Sequence, residues 1–433
     1  MKKNVYCLFV MICVLAASVK SADCATLYSL FDLSQIAFKQ SETIKIAQDD
    51  LYIAQQDKAR ALSVLIPRAT VYSSITRYKE EDALAPNTLS MGGMLTQSFT
   101  LNGKELIALN VTIKTIESKE FSLDSIRSQY LLQVANAYYN ILSAQQYLKI
   151  AESDVQRLKT HKDAVQEKLN VGNVTKTALF RAQAELSKSM TELEISKNRV
   201  LKAKAALRNL VNIEDDFELQ KKDVQKIETY ESVLKEIQDY ALANRSEIKE
   251  ARKNLEIAEK TIAYEQSSYW PTVSLEAGYV ETEIAYDTAG REHKSDSEDL
   301  YFKGELSFTL FDGGLRKAQI RQAKAAERKA RNALTLQEKL IILDSENSYR
   351  DYTAAKSTLI NLQDELKASQ ENFNAVQMQF EYGMADSIDM MDANTLLVSA
   401  QRRILDAKYT YYLSVLNILY TRGDLMPFLL SQK

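Results

Sequence analysis

The chain has 433 residues and a formal net charge of −3, from 55 Lys and Arg against 58 Asp and Glu. So mild a negative balance carries no electrostatic footprint for nucleic acid. With only 11 Gly, 4 Pro and 3 Cys, the composition favours long uninterrupted helices over a compact α/β domain and excludes a disulfide scaffold.

Lys2 and Lys3 precede an apolar run from Val5 to Ala17, followed by small residues. This reads as a Sec-type signal peptide over 1–24, too short for a membrane anchor and without a stop-transfer pattern. Cleavage after Ser21, Cys24 or Ala25 fits the residues. Cys24 raises a lipid anchor, against which stands Asp23, where a small neutral residue is wanted. Cys7, Cys13 and Cys24 all lie in or beside the signal, so the exported body has no disulfide framework although its compartment would permit one. No later apolar stretch is long enough to cross a bilayer as a helix, which leaves a membrane β-barrel open.

From Leu33 to Ile66 the apolar residues Ile36, Ala37, Ile44, Ala47, Leu51 and Ala54 fall at helical spacing. Pro67 ends that helix and starts extended chain. A strand of alternating character is expected over about 69–78, a loop over Lys79 to Met91, and a second strand over about 94–101. Gly103 to Asn170 then contains no proline and no internal glycine, a helix on the order of 100 Å at ~1.5 Å per residue. Gly172 interrupts it, and helix resumes from about Thr175 to Leu210. Glu214 to Glu231 is charged and reads as an irregular connector.

The same succession returns about 205–210 residues later. Helical spacing recurs around Ala241, Ile248, Ala251 and Leu255, and Pro271 ends it. Strands are expected over about 272–282 and 301–310, separated by the polar loop Glu283 to Asp299. A helix runs from Leu315 to Glu381, breaks at Gly383, and resumes from about Ser387 to Tyr420. The chain thus reads as two repeats, 25–230 with its tip near 172 and 231–433 with its tip near 383. Small and apolar residues such as Val134, Ala137, Tyr138 and Ile141 recur at three-to-four spacing, as in helices packed along a long seam. Four strands cannot close a barrel, since the smallest single-chain outer-membrane barrels need about eight. If these strands meet lipid, copies of the chain must assemble.

Leu310-Phe311-Asp312-Gly313-Gly314 with Arg316 and Ala318, the prolines Pro67 and Pro271, Gly383 followed by Ile388-Asp389-Met390-Met391-Asp392-Ala393, and Gly172 followed by Val174, Leu179, Ala182, Gln183 and Ala184 together resemble the TolC-type outer-membrane efflux protein family. The resemblance covers essentially the whole exported chain. It implies a mainly α fold with a membrane β-barrel: a homotrimer whose twelve-stranded barrel continues into a periplasmic tunnel of coiled-coil helices. It implies a passive exit duct in the outer membrane of a Gram-negative bacterium, extending into the periplasm. The implied partners are outer-membrane lipid, a periplasmic adaptor and an inner-membrane transporter of the RND, ABC or MFS class, with no cofactor and no nucleic acid.

The resemblance also assigns sites. Asp389 and Asp392 match paired aspartates that ring the periplasmic entrance, and Asp386 extends them at i, i+3 and i+6, so that like charges would gather about a threefold axis and attract cations. The plain alternative for Asp386 is a helix cap or a charge favourable to the helix dipole. Gly172, Asn173 and Val174 with Gly383, Met384 and Ala385 would form the adaptor-docking tips; as bare sequence the glycines are helix-ending turns. Phe311, Asp312, Gly313 and Gly314 mark a strand-to-helix junction and not a phosphate loop, because no Gly-Lys-Ser/Thr follows. Ala178 and Ala385 stand where the family's gate has an aspartate and a latch arginine, so closure by that salt bridge is not expected. Tyr72, Tyr78, Tyr279 and Tyr301, near strand ends, suggest an aromatic girdle. With His161 and His293 as the only histidines and no Ser/His/Asp or Cys/His pairing, neither a metal site nor an enzyme is expected. The competing reading is a soluble periplasmic coiled-coil scaffold without a pore. Cargo is not encoded in any motif.

Overall fold

The structure, a computed structural model, describes residues 26–78, 87–213, 217–220, 231, 233–288 and 291–430; the signal segment, with the cleavage and lipidation positions before residue 26, lies outside them. In chain order the elements are β1 (Thr26–Tyr28), α1 (Leu30–Gln40), α2 (Glu42–Ser63), β2 (Arg68–Thr76), β3 (Asn87–Thr100), α3 (Lys104–Asn170), α4 (Lys176–Val211), β4 (Phe217–Leu219), α5 (Leu234–Asn244) and α6 (Ser246–Gln266). A 3-10 turn (Ser267–Tyr269), β5 (Thr272–Thr288), β6 (Arg291–Ser307), α7 (Leu315–Glu381), α8 (Ser387–Arg422) and α9 (Leu425–Leu430) follow. One succession occurs twice: a β-hairpin, a helix of 67 residues and a helix of 36. The two 67-residue helices lack any internal Gly or Pro, so nothing interrupts their i→i−4 ladders.

The chain packs as two compact units. One holds residues 42–127 and 238–344, and the other the remaining described residues. Each draws on both sequence repeats, because α3 and α7 each contribute to both.

In the first unit, β2, β3, β5 and β6 form an antiparallel sheet in the order β2-β3-β5-β6. Side chains directly opposite each other share a face. Val71, Gly93, Tyr279 and Leu300 make one such row, and Ala69, Leu95, Ala277 and Phe302 the next. On this face Val71, Leu300 and Phe302 are 88%, 85% and 73% exposed, far beyond what a solvated sheet tolerates as a contiguous patch. At the hairpin end the same face turns acidic, with Glu281 opposite Glu298 and Glu283 opposite Asp296. The other face is polar: Ser90 and Thr282 hydroxyls lie 3.2 Å apart and those of Ser98 and Ser274 2.8 Å apart. A small apolar cluster of Ala241, Ile248 and Ile341 packs the helices of this unit.

Four expectations are corrected here. Of the segment 283–299, read as a loop, residues 283–288 and 291–299 are paired strand, and β3 begins at Asn87 rather than near 94. The alternation signal needs one apolar face, and beyond Leu300 both faces are polar while the backbone ladder continues. β6 instead stops at Ser307, where its pairing ends opposite Thr272 at the start of β5, and the carbonyls of Thr309 and Leu310 beyond it accept from Arg316. Tyr72 and Tyr301 lie on the polar face, so of the four proposed girdle residues only Tyr279 belongs to an apolar row; Tyr78 follows β2.

The second unit buries Tyr138, Tyr139 and Tyr412, with Tyr138 and Tyr139 edge-to-face at 5.2 Å. Within the segment read as a connector, β4 pairs in parallel with β1, Thr26 opposite Phe217, and Phe217 is fully buried; residues 214–216 and 221–230 lie outside the described residues. Helix is also interrupted twice where the sequence shows no breaker. Ser41, between α1 and α2, has ψ 123°, and in the first unit Arg245, between α5 and α6, has ψ 131°.

Gly92 sits where a Cβ would lie 2.4 Å from the Tyr279 carbonyl oxygen, whereas one on Gly93 meets only the Thr70 carbonyl at 3.8 Å. Gly92→Ala is therefore expected to cost about 1–3 kcal/mol through forced backbone movement, and Gly93→Ala far less. Thermal unfolding of the two variants checks this; equal midpoints would contradict it.

Candidate functional site

The strand-to-helix junctions are clasped by side chains from the chain that follows them. Gly313 and Gly314 have φ of 68° and 90°, a left-handed region open to glycine, and turn the chain after the strand. The Asp312 carboxylate accepts from the Gly314 N–H at 3.0 Å, the Arg316 N–H at 2.9 Å and Arg316 Nε at 2.7 Å. The Arg316 backbone N–H, foremost, with its guanidinium and the Gly314 N–H, holds the Asp312 carboxyl down at about 2. Arg316, 8% exposed, also donates to the carbonyls of Thr309 at 2.7 Å and Ser268 at 3.3 Å. Its guanidinium lies 4.6 Å from the Tyr269 ring centroid. Phe311 points outward and is 85% exposed.

The first repeat solves the same turn differently. Gly103 has φ 72°, and Glu105 reaches back so that both its oxygens accept from the Thr100 N–H, at 3.0 and 3.1 Å. Lys104 Nζ donates to Ser268 Oγ at 2.8 Å. Both junctions therefore tie to the 3-10 turn at Ser268, one through its hydroxyl and one through its carbonyl.

In the second unit, α3 and α7 end in the same way. Asn173 N donates to Lys168 O at 2.8 Å and Gly172 N to Leu169 O at 3.0 Å; Met384 N donates to Gln379 O at 2.7 Å and Gly383 N to Phe380 O at 3.2 Å. These are Schellman caps closed by left-handed glycines, with φ 79° and 77°. Val171, Tyr382 and Met384 beside them are 70%, 79% and 73% exposed. Asn173 is exposed too, while Val174 and Ala385 are half-buried.

Asp386 caps α8. Its carboxylate accepts from Ile388 N at 2.6 Å and Asp389 N at 2.9 Å, and Asp389 Oδ2 accepts in return from Asp386 N at 3.0 Å. Two of the three aspartates are thus held by a capping box, and Asp392, one turn further, is exposed. Ala178 and Ala385 pack against an apolar core of Val165, Leu179, Phe373, Phe380, Met390 and Leu397.

Sequence reasoning missed a polar ladder between α3 and α8. Asn394 Nδ2 donates to Asp154 Oδ1 at 2.8 Å, and Arg157 Nε donates to Asn394 Oδ1 at 2.9 Å. One turn on, His161 Nε2 and Ser387 Oγ lie 3.0 Å apart. The signal was present: polar residues at 154, 157 and 161 alternate with Ala151, Leu158 and Val165 along a seam of α3. Among the described residues no cluster of three or more His, Cys, Asp or Glu could hold a metal.

Asp312 contributes stability fully above the ordinary aspartate value of about 4, and that contribution is lost as pH falls towards its folded value of about 2. Asp312→Asn is expected to flatten the pH dependence of unfolding in that window. Arg316→Lys, which cannot reproduce the guanidinium fork, is expected to cost about 1–3 kcal/mol for carbonyls left unpaired. Denaturant titrations across that pH range check both; wild-type slopes and midpoints would contradict them.

The family model described as outer membrane efflux protein matches residues 33–212 and 238–420. The outer membrane protein TolC of Escherichia coli K12 is 24% identical over 382 residues, covering 84% of this chain and 76% of that protein. TolC of Vibrio cholerae is 21% identical, covering 86% of each. Among solved structures, CusC, whose description refers to folding and transmembrane channel formation, superposes with a TM-score of 0.79 at 14% identity, covering 91% of this chain and 92% of that one. With the family model matching both halves over most of its length, the chain belongs to the outer membrane efflux protein family.

Proposed function

We propose that this chain is the exit duct of a tripartite efflux or type I secretion system in a Gram-negative outer membrane. Three copies would close their four-stranded sheets into one twelve-stranded barrel, with the paired long helices of both repeats continuing as a periplasmic tunnel. The observation that carries this reading is the sheet: one face has contiguous exposed apolar rows, the other is hydroxyl-lined, and β2 and β6 stand at its edges among the described residues. A soluble scaffold would have no use for such a face. Among the described residues no helix is long and apolar enough to cross a membrane, so the sheet is the element suited to lipid.

The duct itself would catalyse nothing. An RND, ABC or MFS transporter would supply energy, and a periplasmic adaptor would meet the tips at Gly172, Asn173, Val174, Gly383, Met384 and Ala385. The exposed Val171, Tyr382 and Met384 give such a partner apolar surface to cover. Asp389 and Asp392 would form the entrance constriction, with Asp386 serving chiefly as the cap that starts α8.

An arginine facing lipid near the bilayer midplane costs roughly 2–4 kcal/mol. Phe302→Arg, in the apolar row further from the acidic hairpin end, should therefore lower assembly in the outer-membrane fraction, and Ser297→Arg, on the polar face, should not. Equal loss in both would contradict the assignment of faces. In planar bilayers, Asp389→Ala with Asp392→Ala should weaken block of the pore by multivalent cations, and unchanged block would remove the constriction.

A further inference from the structure

His161 is 5% exposed and is wedged between three helices. Its ring sits 5.0 Å from that of Phe380 near the end of α7, and its Nε2 meets the Ser387 hydroxyl in the first turn of α8. Ser387 is itself 5% exposed and directly follows the Asp386 cap. The other ring nitrogen, Nδ1, is buried with no hydrogen-bond partner among the described residues. Lys168 closes the far side: its ammonium lies 3.9 Å from the Phe380 ring centroid and donates to the Phe380 carbonyl.

This setting suits only a neutral imidazole. With Nε2 bonded to the hydroxyl, Nδ1 can remain a bare lone pair. Protonation turns Nδ1 into a buried N–H with no acceptor, at a cost typical of an unsatisfied polar group. It also adds a positive charge beside Lys168, with Arg157 one turn away lining the same cleft. Burial first, and the Lys168 charge second, hold the His161 imidazole below its ordinary value. The other charged groups lining its cleft are Glu167 on α3 and Glu381 on α7, with Asp154 paired to Arg157 on α3 and Asp386 directly before Ser387 on α8.

Resting on the duct reading, we propose that His161 and Ser387 form a proton-released latch at the periplasmic entrance. With the ring neutral, the hydrogen bond pins the first turn of α8 to α3 and holds the aspartates that follow Ser387 in the closed tip. Protonation makes that packing unfavourable and frees the first turn of α8, so the entrance loosens. The latch occupies the part of the tip where Ala178 and Ala385 provide packing but no charge pair. The sign follows from a lowered folded value: the latch is at full strength above the ordinary histidine value of about 6.5 and weakens as pH falls below it.

The full chain, purified in detergent and reconstituted into phosphatidylethanolamine–phosphatidylglycerol planar bilayers, tests this from about pH 7.5 to about pH 5. The wild-type open-to-closed ratio should rise as pH drops, by up to about tenfold per unit for each linked proton. His161→Gln, which keeps a donor near Ser387 but cannot be protonated, should stay closed throughout. Ser387→Ala, which leaves the ring and removes its partner, should already be open at the upper pH. Because the chain has only two histidines, His293→Gln leaves one imidazole to follow by NMR, and its midpoint should fall below the ordinary value and match the conductance midpoint. A full acid response in His161→Gln would assign gating to the surrounding carboxylates and overturn the latch. A pH-independent wild-type channel, or a Ser387→Ala channel closed at the upper pH, would do the same. A chain that conducts at no pH would overturn the duct and the latch with it.

Discussion

A sheet edge in hydrocarbon leaves backbone N–H and C=O groups unsatisfied at several kcal/mol each, and every other feature of this chain answers to that constraint. The described sheet has four strands and two edges, and its apolar face is exposed. A single copy cannot bury that face in lipid and pair its edges at once. Copies joined edge to edge satisfy both demands together, with the hydroxyl-lined face turned to an aqueous interior. In the proposed trimer the barrel would be a property of the assembly, each chain supplying one third of it.

The junctions and tips then have definable tasks. Where strand gives way to helix, Asp312 and Arg316 close one turn and Thr100 and Glu105 the other, and both are fastened to Ser268. Charged groups that answer backbone groups so closely leave little rotational freedom in the turns. At the tips, glycine-closed caps end the long helices, and an apolar core with a polar ladder above it ties α3 to α8. Ala178 and Ala385 pack against that core.

Much of this was legible in residue order. Pro67 and Pro271 each stand directly before a strand, the glycine-free runs are single helices, and Gly172 and Gly383 take the left-handed conformation their positions suggested. What escaped was structure without a periodic or steric mark. Strand continues through 283–288 and 291–299 with polar residues on both faces, so hydrophobic alternation vanished while hydrogen bonding did not. Ser41 and Arg245 interrupt helix without proline or glycine. Phe217-Glu218-Leu219 is a three-residue strand inside a charged segment, too short for any pattern. Tyr72 and Tyr301 had the composition of a girdle, and only register could show that they face away from the apolar rows. His161 gained its meaning from Ser387, more than two hundred positions away in the chain.

The most direct measurement of the central claim is edge-to-edge cross-linking between copies. Cys24 is the last cysteine in the chain, so in a Cys24→Ser background single cysteines introduced on β2 and β6 are distinctive reporters. Scanned in pairs along the two edges of outer-membrane-embedded protein, they should yield covalent trimers at one register, each link joining β2 of one copy to β6 of the next. Monomers at every register, from a protein that stays dispersed in water without detergent, would contradict the account.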